Sequence, residues 1–275
     1  MEWLKDNTKK SLDELKDLVN FEKNTTNGHE IILVKNIESE TTRVALANCL
    51  LAVASQVIQH DFELSVFLLG SSQDSIKSLT NEIDTLINST HANAWIAEAI
   101  FFILIVAAEN MHSPGKMLVH TLPHTSATRQ GLDGTGIYFD NYLNGLGTAI
   151  TEAKNYDDLN NGISNSISSF KKIEKDQLGA ELRTVLYGLT PFLSTANKEK
   201  MVSELWKQAR TYIPVVFFVS DPSYQLLIER RAFAQYSIPN THKLLVLNEY
   251  IDRESFYKSI KEEMRNQMKE WMLNV

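Results

Sequence analysis

Cysteine is almost missing: Cys49 stands alone among 275 residues. No intrachain disulfide can form, which fits a reducing compartment such as the cytoplasm. Glycine (11) and proline (6) are too scarce for a fibrous or low-complexity chain. Basic residues are in deficit, 27 Lys and Arg against 34 Asp and Glu, for a net charge of −7. A stand-alone nucleic-acid binder usually carries a basic excess, so DNA affinity would have to come from a local groove, bound cations or a partner protein. No secretory leader is expected from the mixed-charge start MEWLKDNTKK. The most apolar stretch, residues 94–108 (AWIAEAIFFILIVAA), is short of the roughly twenty residues that span a bilayer and carries Glu98. It reads as a buried core helix, so no membrane partner is expected. Neither GxxxxGK[ST] nor GxSxG occurs, which argues against a P-loop and a hydrolase elbow.

What is present is an ordinary globular composition, 43% apolar and 22% charged. Hydrophobic spacing predicts helices over 3–22, 41–60 and from Ser72 or Asp74 to 88, a strand at 29–37, and a short buried strand or helix remnant at 64–69. Beyond about residue 90 the pattern reads helix 94–110, strands 116–122, 132–139 and 148–154, and a helix from Asp157 or Asp158 to 175. Helices over 177–189 and from Asn197 to 210, strand 213–219, helix 224–234, strand 243–247 and helix 254–273 follow. The 141–147 stretch (NYLNGLG) is turn-rich and predicts a hairpin. The whole reads as an α/β protein with a mixed sheet. A soft boundary near residue 90 divides an N-terminal accessory region, 1–90, from a main domain, 91–275.

The chemistry concentrates in Gly131-Leu132-Asp133-Gly134 and Thr151-Glu152-Ala153-Lys154. Side chains two apart on a strand share a face, so Glu152 and Lys154 project together. Pairing 133 with 154 and 139 with 148, both summing to 287, brings Asp133 to that face. Two carboxylates beside an ammonium suit Mg²⁺, or Mn²⁺, and phosphodiester hydrolysis. The metal activates water, and the lysine orients it and stabilises charge developing on phosphorus. Gly131 and Gly134 leave room for a phosphate backbone. Plainer alternatives stand beside this. Asp133 suits a turn between glycines. Glu152 and Lys154 suit an exposed ion pair. Glu98 suits an exposed stripe on an apolar helix.

D-(x)n-E-x-K on neighbouring strands, after a helix with an inward Glu, resembles the PD-(D/E)xK nuclease superfamily. The resemblance implies a restriction-endonuclease-like mixed sheet flanked by helices, with the N-terminal α/β region as an accessory. It implies Asp133, Glu152 and the Ala153 carbonyl as metal ligands, Lys154 as the catalytic lysine, and Glu98 as the helix carboxylate, an outer ligand or a group that orients Lys154. More narrowly, GLDGTGIYF…AITEAKNYDDLNNGI over 131–170 resembles the HamA family, nuclease components of the Hachiman anti-phage system. That resemblance implies a DNA-cleaving enzyme with a helicase partner. A silent nuclease-fold module that binds DNA or a helicase, and a restriction or repair nuclease without a helicase, remain alternatives.

Other residues carry weaker signals. His120 and His124 stand at i,i+4, but Pro123 argues against a zinc helix; core or surface roles are favoured for both and for His112, with His120 or His124 lining the groove near the metal as the alternative. The 131–136 glycines precede a strand rather than a helix, so no dinucleotide site is expected. Asn161, Asn165 and Ser169 suit a bond to a phosphate or a metal water, with a polar solvated stripe as the simpler reading; lysines 171, 172 and 175 suit contact with DNA backbone or an answer to the helix dipole, and Arg230-Arg231 a second phosphate contact. Cys49 reads as a core residue.

Overall fold

The computed structural model describes residues 3–26, 29–58, 72–108, 115–124, 132–140, 144–155, 159–175, 179–204, 209–216, 241–248 and 252–273. In chain order the elements are α1 (Asp6–Lys16), β1 (Asn20–Thr26), β2 (His29–Lys35), α2 (Glu40–Ile58), α3 (Gln73–Asn88) and α4 (Ala92–Ala107). Then come β3 (Gly115–His120), β4 (Gly134–Asp140), β5 (Gly145–Lys154), α5 (Leu159–Glu174) and α6 (Gly179–Leu189). A short 3₁₀ turn (Thr190–Phe192), α7 (Thr195–Glu204), β6 (Ala209–Val216), β7 (Thr241–Asn248) and α8 (Arg253–Leu273) complete the described chain.

One seven-stranded mixed sheet organises these elements, in the order β1-β2-β7-β6-β5-β4-β3. β2, β7, β6 and β5 run parallel, and antiparallel pairs close both ends. The expected mixed α/β architecture is therefore present. The sheet is continuous across the boundary expected near residue 90, because β2 pairs with β7. Helices α2 and α4 are buried along most of their length and share one hydrophobic core with Ile32, Ile137 and Ile150 of the sheet. α2 is the one described helix long and apolar enough to cross a membrane, and 72% of its apolar window is buried inside the fold. Cys49 lies in that buried stretch, where burial, and then the charge of Glu14, push its thiol pKa up.

Several local expectations are corrected. The first helix stops at Lys16, and 20–26 forms β1 instead of a helical extension. A seven-pair ladder with β2, Asn20↔Lys35 to Thr26↔His29, overrides the helical spacing of Leu18 and Val19. Ser72 does cap α3, its side chain accepting the Ser75 N–H. The cap expected at Asn197 falls to Ser194, whose Oγ accepts the Asn197 N–H at 3.4 Å. The helix expected to reach Arg210 gives way to β6, which starts at Ala209. Strand 64–69, helix 224–234, residues 217–219 of the expected strand, His112, Gly131 and Arg230-Arg231 lie outside the described residues.

The β4–β5 hairpin is tighter than expected. Gly145, Leu146 and Gly147 belong to β5, with Asp140 opposite Gly145. Asn144 takes φ 48°, a left-handed conformation that Asn tolerates, just before the strand resumes. Gly147 serves packing across the strands rather than a turn. A Cβ there would lie 2.2 Å from Tyr138 Cζ. Gly147→Ala is expected to cost about 1–3 kcal/mol through overpacking, read as a lower urea midpoint. An unchanged midpoint would show that the Tyr138 ring has somewhere else to go.

Candidate metal centre

Antiparallel pairing of β4 and β5 fixes the site. The ladder runs Gly134↔Thr151, Thr135↔Ile150, Gly136↔Ala149. Its sum is 285, two less than the expected 287. A two-residue slip keeps every side chain on its face, where a one-residue slip would have reversed it. Continued by one step, the ladder puts Asp133 directly across from Glu152. Lys154 follows on the same face, at the end of β5.

The three side chains meet there. Lys154 Nζ donates to Glu152 Oε2 at 2.7 Å and lies 3.9 Å from Asp133 Oδ2. The Ala153 backbone N–H donates to the same Asp133 oxygen at 2.8 Å. Glu152 is buried, its side chain 5% exposed, while those of Asp133 and Lys154 are 26% and 20% exposed. The surface ion-pair alternative thus does not describe Glu152. Burial, and then the neighbouring Glu152 charge, push the Asp133 carboxyl up to about 7, against the pull of Lys154 and the Ala153 N–H. Glu98 adds the weakest upward push.

Glu98 sits on α4 and turns toward the segment after β3. Its Oε1 accepts the backbone N–H of His124 at 2.8 Å and lies 2.9 Å from His124 Nδ1. These contacts tie the carboxylate to residue 124. His120 is buried across the opposite face of β4. A Cβ on Gly134 would lie 2.7 Å from His120 Cε1, and one on Gly136 would lie 2.9 Å from its Cδ2. Gly134 therefore makes room for the His120 ring, not for a phosphate as the sequence suggested. Asn161, Asn165, Lys171, Lys172 and Lys175 are exposed on or just past α5. Asn165 Nδ2 donates to the Asn161 carbonyl along its own helix. That arrangement fits a solvated polar stripe.

Asp133 and Glu152 supply hard carboxylate oxygens, and the two share one ammonium. When both are ionised a surplus negative charge remains, which suits a divalent cation. Among the described residues, no group of three or more His, Cys, Asp or Glu side chains is placed to hold a metal. Two carboxylates suit Mg²⁺, which keeps several of its waters, better than they suit Zn²⁺, which takes four protein ligands in structural sites and three in catalytic ones. Trp95 and Thr121, which shape the surroundings, were missed by sequence reasoning. Neither carries a motif or a charge, and only their hydrogen bonds reveal them.

The arrangement is thus a two-carboxylate, one-lysine site at the rim of a mixed α/β sheet. Comparison with known proteins adds no identity, since no protein-family model and no curated protein matches the chain.

Proposed function

We propose that this chain is a metal-dependent deoxyribonuclease of the PD-(D/E)xK type, which hydrolyses phosphodiester bonds with Mg²⁺ or Mn²⁺. The observation that carries the reading is the convergence of Asp133, Glu152 and Lys154 within 4 Å of the lysine nitrogen. The order of α4, three antiparallel strands β3–β5, α5 and the parallel strand β6 supports it.

Asp133, Glu152 and the Ala153 carbonyl would hold the cation. When bound, it offsets phosphate charge and lowers the pKa of water. Lys154 orients the attacking water and stabilises negative charge building on the phosphoryl oxygens. The Ala153 N–H keeps Asp133 aimed at the same point. Water adds to phosphorus, one P–O ester bond breaks, and the departing oxygen takes up a proton.

The net charge of −7 supports delivery of DNA by a partner. With the resemblance over 131–170, it supports a cytoplasmic nuclease paired with a helicase in anti-phage defence. The test is plasmid DNA incubated with the purified chain, alone and with its candidate helicase, in Mg²⁺ and in chelator. Nicking or linearisation that needs the metal is expected. Equal cutting in chelator, or no cutting by chain and helicase together, would overturn the proposal. Metal binding is read separately. Calorimetry is expected to show Mn²⁺ bound by the native chain and that binding lost in Asp133→Asn.

A further inference from the structure

We propose that Glu98 is a positioning residue, which fixes Asp133 through a hydrogen-bond relay running from α4 along residues 121–124 to Thr135. The inference rests on the metal-site reading above and gives Glu98 a role other than ligand.

α4 grips both backbone polar groups of His124. Glu98 Oε1 accepts its N–H at 2.8 Å, and Trp95 Nε1 donates to its carbonyl at 2.9 Å. Pro123 stiffens the chain just before this anchor. At the other end of the segment, Thr121 grips both backbone groups of Thr135. The Thr121 N–H donates to the Thr135 carbonyl at 2.8 Å, and the Thr135 N–H donates to Thr121 Oγ1 at 3.0 Å.

The second of these bonds departs from a regular ladder. The Thr121 carbonyl lies 2.7 Å from His120 Nδ1. The threonine hydroxyl receives the Thr135 N–H as the segment leaves β3 toward α4. Thr135 is fully buried, so its N–H has no water to replace that acceptor. Asp133 stands two residues before Thr135, and its carboxylate is docked on the Ala153 N–H. The approach of β4 to Asp133 is therefore set by Thr121, and Thr121 is set by the anchor on α4. Hydrogen bonds that hold a metal-binding carboxylate in place from behind typically change metal affinity by about 10–100-fold.

The experiment is Mn²⁺ calorimetry on the full chain, with thermal melting in parallel. Thr121→Val keeps the shape and removes the acceptor, and is expected to weaken Mn²⁺ binding by about 10-fold. Thr121→Ser is expected to restore it. Glu98→Gln keeps an oxygen for the His124 N–H and is expected to bind Mn²⁺ more tightly than Glu98→Leu. Native affinity in folded Thr121→Val, or equal loss in both Glu98 variants, would overturn the relay. A lowered melting temperature with native affinity would mark a merely structural role and count against it. Should Thr121→Val not fold, the two Glu98 variants decide. Glu152→Ala separates the two ideas: if it binds Mn²⁺ like the native chain, the metal site itself is wrong. If it loses binding while Thr121→Val and the Glu98 variants keep it, only the relay fails.

Discussion

Glu152→Ala is expected to lower metal-dependent cleavage of plasmid DNA by about a thousandfold or more, and Lys154→Met by about 10²–10³-fold. The two losses should differ in origin. Glu152 is the more buried carboxylate and the direct acceptor of the lysine at 2.7 Å. Its removal takes away a donor atom, so Mn²⁺ binding should fall with cleavage. Lys154 is a cation resting on the two carboxylates that would hold the metal. Its removal leaves those oxygens in place and ends the competition of the ammonium for them. The lysine also holds the Asp133 pKa down, so at pH 9, where the Asp133 carboxyl has ionised, Lys154→Met should bind Mn²⁺ at least as tightly as the native chain, while cutting poorly. Calorimetry and plasmid cleavage on the same preparations read both quantities, with circular dichroism to check the fold. Full cleavage by both variants would remove the catalytic assignment. Weaker Mn²⁺ binding by Lys154→Met would mean that the lysine organises the carboxylates rather than the water.

The convergence of these side chains was legible because it depends only on strand alternation. Glu152 and Lys154 share a face on any strand, and an even shift of register cannot take Asp133 off that face. The shift itself was not legible. Composition could not tell whether Gly145 and Gly147 belong to a turn or a strand, and only the Tyr138 ring over Gly147 explains why glycine stands within β5. Long-range pairing was hidden for the same reason. The β1–β2 hairpin pairs with β7, more than two hundred residues away, and no local pattern near residue 30 encodes that partner. The role of Glu98 was half legible. Its position in an apolar helix required a buried partner. That the partner would be the backbone of His124 depended on how residues 121–124 leave the sheet.

The second large effect expected is on the pH dependence of stability. Asp133 is raised to about 7, chiefly by burial and by the Glu152 charge. A carboxyl raised on folding acts opposite to the usual salt-bridged one. Between about pH 4, where it ionises in the unfolded chain, and about 7, the folded chain holds a proton that the unfolded chain has lost. Protons bound are then fewer in the unfolded state, so the slope of unfolding free energy against pH is negative. The Asp133 contribution is most favourable below about pH 4, declines as pH rises through 7, and is flat above. Asp133→Asn removes the titrating group and is expected to flatten that decline, raising the urea midpoint at pH 8 relative to the native chain. Saturating Mn²⁺ should do the same for the native chain by a different route. A ligand held only by the folded state adds about 2.7 kcal/mol at a hundred times its dissociation constant, and it binds best where Asp133 is ionised. The two treatments should not add, since Asp133→Asn has lost the site. Urea unfolding from pH 4 to 8, with and without Mn²⁺, separates these cases. A native chain whose stability rises steadily across that range, with no gain from Asp133→Asn at pH 8, would show that Asp133 is ionised and already paired, with Lys154 alone meeting the charge.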